Sequence, residues 1–129
     1  MFTPTHAYFG FSVDDLAAAK TFYGDTLGLS LASDERGSVR LTLPGGAQAY
    51  LYPKEDHQPA SYTMLNFVVD DVEAAVDQLN KLGVRTKIYE NAGQDGGIET
   101  DENGIARAHG TAIAWFKDPA GNVLSVVNG

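Results

Sequence analysis

The chain repeats itself, and that repeat constrains its fold more than any other feature. FSVDDLAAAKTFYGDTLGL (11–29) and FVVDDVEAAVDQLNKLGV (67–84) are two versions of one segment. Phe11, Val13, Asp14, Asp15, Ala18 and Ala19 recur 56 residues later as Phe67, Val69, Asp70, Asp71, Ala74 and Ala75. After a one-residue deletion, Leu27-Gly28 recurs as Leu82-Gly83. The sequence therefore encodes one supersecondary unit twice, and each copy has an apolar face to cover.

Each copy has a readable plan. Apolar residues alternate from His6 to Val13 and from Tyr62 to Val69, which predicts a strand. Asp14 and Asp70 follow where a helix N-cap is wanted, and Asp70 with Glu73 fits a capping box. These aspartates read as caps rather than as an acid–base pair. Leu16, Ala19, Phe22 and Tyr23 share one helical face, as do Val72, Ala75, Val76 and Leu79. Gly28 and Gly83 suit a left-handed C-terminal residue.

Strand-like segments follow at 29–34, 37–43 and 47–53, then at 84–90, 110–117 and 122–127. DPAGN (118–122) is a hairpin turn, with Pro119 pre-set in φ and Gly121 free to take positive φ. The expected fold class is α+β: two tandem βαβββ modules, about 5–53 and about 62–127, in one domain over 1–129. The segment 91–109 is too long and too rich in Gly, Asp and Glu for an ordinary connection. It reads as a lid over a pocket, with disorder the competing reading.

Charge and composition narrow the partners. Nine Lys and Arg against 17 Asp and Glu give −8, so nucleic acid and anionic membrane surfaces are excluded as expected partners, while a cationic small molecule would be attracted. With no cysteine there is no disulfide, thiolate metal site or thiol nucleophile. No apolar run approaches the roughly 18 residues of a membrane span, and MFTPTHAYFG lacks the look of a signal peptide, so a cytoplasmic location is expected. Nucleophile-elbow, Walker and Rossmann patterns are missing; LPGGA (43–47) has neither the spacing nor a following helix.

The segments VDDLAAAKTFYGDTLGL, VVDDVEAAVDQLNKLGV and AWFKDPAGNVLSVV together resemble the vicinal oxygen chelate superfamily, which includes glyoxalase I, extradiol dioxygenases, and fosfomycin- and bleomycin-resistance proteins. The resemblance spans about residues 5 to 127. It implies a cup-shaped mixed sheet with helices outside, and a homodimer. In the metalloenzymes of that group, ligands sit on the first and last strands of each unit. The matching positions here are Tyr8, Tyr50, Met64 and Ser125. None is a usual ligand for a hard or borderline divalent cation, so neither metal nor cofactor is expected. His6, His57 and His109 lack metal-ligand spacing.

The expected pocket is amphipathic and aromatic. His6, Tyr8 and Gly10 share one strand face; Gln48, Tyr50 and Tyr52 share another; Tyr62, Met64 and Asn66 a third. Trp115 or Phe116 joins them, alternation leaving the choice open, with Ser125 on the last strand. Such a lining suits a small hydrophobic or aromatic ligand. The leading reading is a metal-free binding protein of the bleomycin-resistance type without catalysis. The alternatives are a lyase, isomerase or dioxygenase-like enzyme using His6 with Tyr8 or another tyrosine, and an interaction module with a closed cup.

Overall fold

Each copy of the repeat folds into its own βαβββ unit. A computed structural model describes residues 1–89 and 99–129, in two compact units, Met1–Pro59 and Ala60–Gly129. Unit one runs β1 (Phe9–Val13), α1 (Leu16–Lys20) with a π-helical continuation (Thr21–Thr26), β2 (Ser30–Ser33), β3 (Val39–Thr42) and β4 (Gln48–Pro53). Unit two runs β5 (Thr63–Val69), α2 (Val72–Lys81), β6 (Ile105–Ala108), β7 (Thr111–Lys117) and β8 (Val123–Asn128). The sheet orders, β1-β4-β3-β2 and β5-β8-β7-β6, are the same topology twice. In each sheet the first strand pairs in parallel with the last, and the other pairs are antiparallel.

The paired aspartates do cap the helices, one residue later than expected. Asp15 and Asp71 are the N-caps, extended at φ −132° and −133°. Their Oδ1 atoms accept the N–H of Ala18 and of Ala74, both at 3.1 Å. Asp14 and Asp70 are therefore not the caps, and Asp70 with Glu73 makes no capping box. Glu73 instead accepts from Arg107 Nη2 at 2.5 Å. Gly28 and Gly83 end the helices at φ 76° and 85°, as expected.

The one-residue difference between the copies has a structural counterpart. The helical stretch of unit one, 16–26, is one residue longer than α2, and its second half is π-helical. A single extra residue inside an α-helix is accommodated by one wider turn. There the N–H of Leu27 donates to the Phe22 carbonyl at 2.9 Å, and that of Leu29 to Tyr23 at 2.9 Å. The face that packs on the sheet stays in phase, so Phe22 and Tyr23 remain buried. Tyr23 meets Phe11 edge-on, 5.7 Å between ring centroids.

The DPAGN turn forms as predicted, with Gly121 at φ 85°. Asp118 Oδ1 accepts the N–H of Ala120 and of Asn122, both at 2.9 Å. The same D-x-x-G-x arrangement recurs at DERGS (34–38) and DENGI (101–105). Asp34 Oδ1 accepts from Arg36 and Ser38 at 2.9 and 3.0 Å, and Asp101 Oδ1 from Asn103 and Ile105, both at 2.9 Å. A carboxylate that binds two main-chain amides sets the turn locally, as Asx turns do.

Unit two departs from the sequence reading before β6. Residues 84–89 form no strand; the sheet position expected for 84–90 is held by Ile105–Ala108, paired with β7. The stretch 84–89 is tied to the turn beside β6. Thr86 Oγ1 donates to the Asn103 carbonyl at 2.7 Å, Lys87 Nζ to the Thr100 carbonyl at 3.1 Å, and Thr100 Oγ1 to the Tyr89 carbonyl at 2.7 Å. These polar side chains satisfy the backbone locally, where a ladder would otherwise be needed. Of the expected lid, 91–98 lies outside the described residues, and 99–109 is an edge strand with its flanking turns.

Candidate functional site

Alternation sorts the unit-one sheet into two faces. Phe11, Val13, Val39, Leu41, Ala49 and Leu51 are buried on one. Register places Gly10, Tyr50 and Arg40 in one row on the other, with Ser12 beside Tyr52 in the next. Tyr8, just ahead of β1, packs its ring on that of Tyr50, centroids 4.4 Å apart. Tyr8 is 59% exposed and Tyr52 41%. With Gly10, Ser38 and the tip of the Asp34–Ser38 turn they line a concavity of about 640 Å³. Three of the expected ligand-binding residues, Tyr8, Tyr50 and Tyr52, thus meet on one surface. Gln48 lies on the same face of β4.

The histidine bonded to this face is His57, from the loop after β4. His57 Nδ1 and Ser12 Oγ share a hydrogen bond at 2.6 Å. The loop turns back at Lys54, whose carbonyl accepts the His57 N–H at 3.1 Å. Lys54 also pairs with Asp56 and, by hydrogen bond and charge, holds that carboxyl below the usual range. His6, the histidine of the enzyme alternative, is exposed ahead of β1, with Nδ1 3.4 Å from the Thr5 hydroxyl.

Unit two lacks a matching row of tyrosines. Trp115 and Phe116 divide between the faces, which settles the parity. Phe116, 1% exposed, stacks on Phe67 in the core, centroids 6.5 Å apart. Trp115 lies in register with Ser125, and Ser125 in turn with Asn66. Its indole N–H donates to Thr63 Oγ1 at 3.0 Å, and Tyr89 meets it edge-on at 5.2 Å. Ser125 is fully buried and donates to Asn66 Oδ1 at 2.5 Å.

A β-bulge explains why Thr63 was overlooked. Thr63 pairs with Val123 and Leu65 with Leu124, so Met64 has no partner in the ladder. The extra residue shifts alternation by one, and Thr63, not Met64, falls in step with Asn66. Tyr62 precedes β5 and is exposed.

The sequence matches the Glyoxalase/Bleomycin resistance protein/Dioxygenase superfamily over residues 5–126. The chain belongs to this superfamily. No curated protein matches it. Among solved structures, TnmS3, an antibiotic binding protein from Streptomyces sp. CB03234, is similar at 23% identity and TM-score 0.70, covering 99% of this chain and 98% of that one. A superfamily member from Sphaerobacter thermophilus DSM 20745 is similar at 23% identity and TM-score 0.69, covering 98% of each. Lactoylglutathione lyase from Agrobacterium tumefaciens is similar at 20% identity and TM-score 0.65, covering 98% and 96%. At these identities the likeness is one of fold, and one fold hosts many chemistries.

Tyr8 and Tyr50 offer phenols, Met64 a thioether, and Ser125 a hydroxyl already bonded to Asn66. None of these side chains is a usual ligand for a hard divalent cation. Among the described residues, no three His, Asp or Glu side chains are grouped to hold a metal. No described helix is long and apolar enough to cross a membrane.

The sequence did carry a signal for part of what was missed. Alternation through GSVRLTL puts Ser38, Arg40 and Thr42 on the tyrosine face, and alternation past Gly10 adds Ser12. No sequence pattern marked the bulge or the Ser12–His57 contact.

Proposed function

We propose that this chain is a small-molecule-binding protein that takes an aromatic or hydrophobic ligand without metal chemistry. The supporting observation is the concavity of about 640 Å³ walled by Tyr8, Tyr50 and Tyr52. Its size lies within the range of ligand sites, and tyrosines offer flat apolar area with a polar tip. TnmS3, named for antibiotic binding, has the same fold and fits this reading. The homodimer remains part of the proposal on the strength of the superfamily resemblance, and the cytoplasmic location on the sequence reading alone.

A thermal-shift screen with aromatic antibiotics, metal-loaded bleomycin among them, tests the reading. A compound at a hundredfold its dissociation constant stabilises by about 2.7 kcal/mol, or about 10 °C in a domain of this size. Tyr50→Ala should abolish the shift. A screen without any shift, or a shift that survives Tyr50→Ala, counts against the tyrosine face.

A second reading, an enzyme of the superfamily, is favoured by one contact. The Ser12–His57 hydrogen bond ties an imidazole, a group that can donate or accept a proton, to a residue of the same face. If this reading holds, His57→Gln abolishes turnover of a ligand found in the screen while its binding persists. His6→Gln leaves turnover unchanged.

A further inference from the structure

The structure assigns a ligand class to the tyrosine face: a flat aromatic acid, its ring over Gly10 and its carboxylate held by Arg40 with Arg36 alongside. This rests on the ligand-binding reading above and narrows it. Across the four strands of unit one, the face carries a single charged side chain, Arg40, in register with Tyr50. Neither arginine forms an ion pair among the described residues. Arg36 lines the concavity from the turn at its rim. The rim also holds two acids, Asp34 and Glu35. Asp34 Oδ1 accepts two main-chain amides of the turn, and with Glu35 it matches the two guanidiniums in charge. The acids belong to the turn at the rim, so on the strands themselves the charge that a ligand meets is that of Arg40. A guanidinium recognises a carboxylate through paired, charge-assisted hydrogen bonds.

The place for the ring comes from Gly10. A Cβ there would lie 3.2 Å from the Tyr50 carbonyl oxygen and 3.7 Å from Tyr52 Cε1. The missing side chain leaves bare backbone flanked by aromatic rings, a floor on which a ring can lie. Gly10 and Arg40 stand two strands apart, about 10 Å, with Tyr50 between them. Allowing for the reach of the arginine side chain, one or two fused rings bearing one acid group span that distance.

Three isosteric probes test this by calorimetric titration: 2-naphthoate, 2-naphthamide and 2-naphthylmethylammonium. Naphthoate should bind at least about tenfold more tightly than the amide, as a charge-assisted contact demands, with the ammonium weakest. The double variant Arg36→Gln, Arg40→Gln should bring naphthoate down to the amide's affinity and leave the amide unchanged. Both sites are exposed, so the double variant folds, and its melting point checks this. Gly10→Val should weaken all three. Equal binding of the three probes, or a naphthoate preference that survives the double variant, overturns the acid assignment and leaves the ligand-binding reading standing. No binding by any probe also overturns it, and the antibiotic screen then judges the broader reading separately.

Discussion

Gly104→Ala should be among the most destabilising small substitutions in unit two. Gly104 closes the DENGI turn at φ 87°. A Cβ there would lie 2.0 Å from the Thr86 carbonyl oxygen and 2.9 Å from Lys87 Cα, inside the 3.0 Å that real contacts keep. The obstacle is backbone, so no side-chain rotation relieves it. The stretch 84–89 must move away from the turn, against the Thr86–Asn103 and Lys87–Thr100 hydrogen bonds. Positive φ costs alanine about 1–2 kcal/mol. Losing two part-buried hydrogen bonds costs about 1 kcal/mol each, for a total of about 3–4 kcal/mol. Gly83→Ala isolates the conformational share, because Gly83 has φ 85° with nothing within 4 Å of the added methyl. It should cost about 1–2 kcal/mol. Urea unfolding of both variants, read from midpoints at constant slope, gives the comparison. Equal losses would refute the steric argument, and with it the claim that 84–89 is packed against the turn.

Three further predictions test the local chemistry. Asp15→Ala and Asp71→Ala should each cost about 1 kcal/mol in urea unfolding, while Asp14→Ala and Asp70→Ala stay within about 0.5 kcal/mol; the reverse order would restore the sequence-based cap assignment. The Asp101 carboxyl, although burial opposes ionisation, is held below its usual range by the Ile105 N–H, Arg107 and the Asn103 N–H. A lowered carboxylate contributes stability that is present above its unfolded pKa of about 4 and lost as pH falls through the folded value. Stability measured from pH 6 down to pH 2 should therefore fall less steeply in Asp101→Asn than in the parent, and an unchanged acid limb would refute this. Because Arg107 and Asp101 are both partly exposed, the effect should shrink in high salt.

What could be read from the sequence was local, and what could not was set by distant pairing. The two-unit fold was legible because each copy repeats its own short-range signals: alternation, a capping aspartate, a C-terminal glycine. Even there the pair of aspartates hid which one caps, since either can accept the amide and only the first helical residue distinguishes them. Residues 84–90 alternate like a strand in sequence, yet 84–89 form none, and Ile105–Ala108 pairs with β7 instead, Ile105 buried beside Ala114. Alternation and propensity do not by themselves choose between two segments for one sheet position. The site shows the same division. Tyr8, Tyr50 and Tyr52 were found because period two holds through β1 and β4; Met64 was misplaced because one unpaired residue breaks the period in β5. Ser12 and His57 stand 45 residues apart, and the parallel pairing of β1 with β4 brings the loop after β4 back to β1. That pairing brings His57, through Ser12, to a surface where alternation alone places only His6.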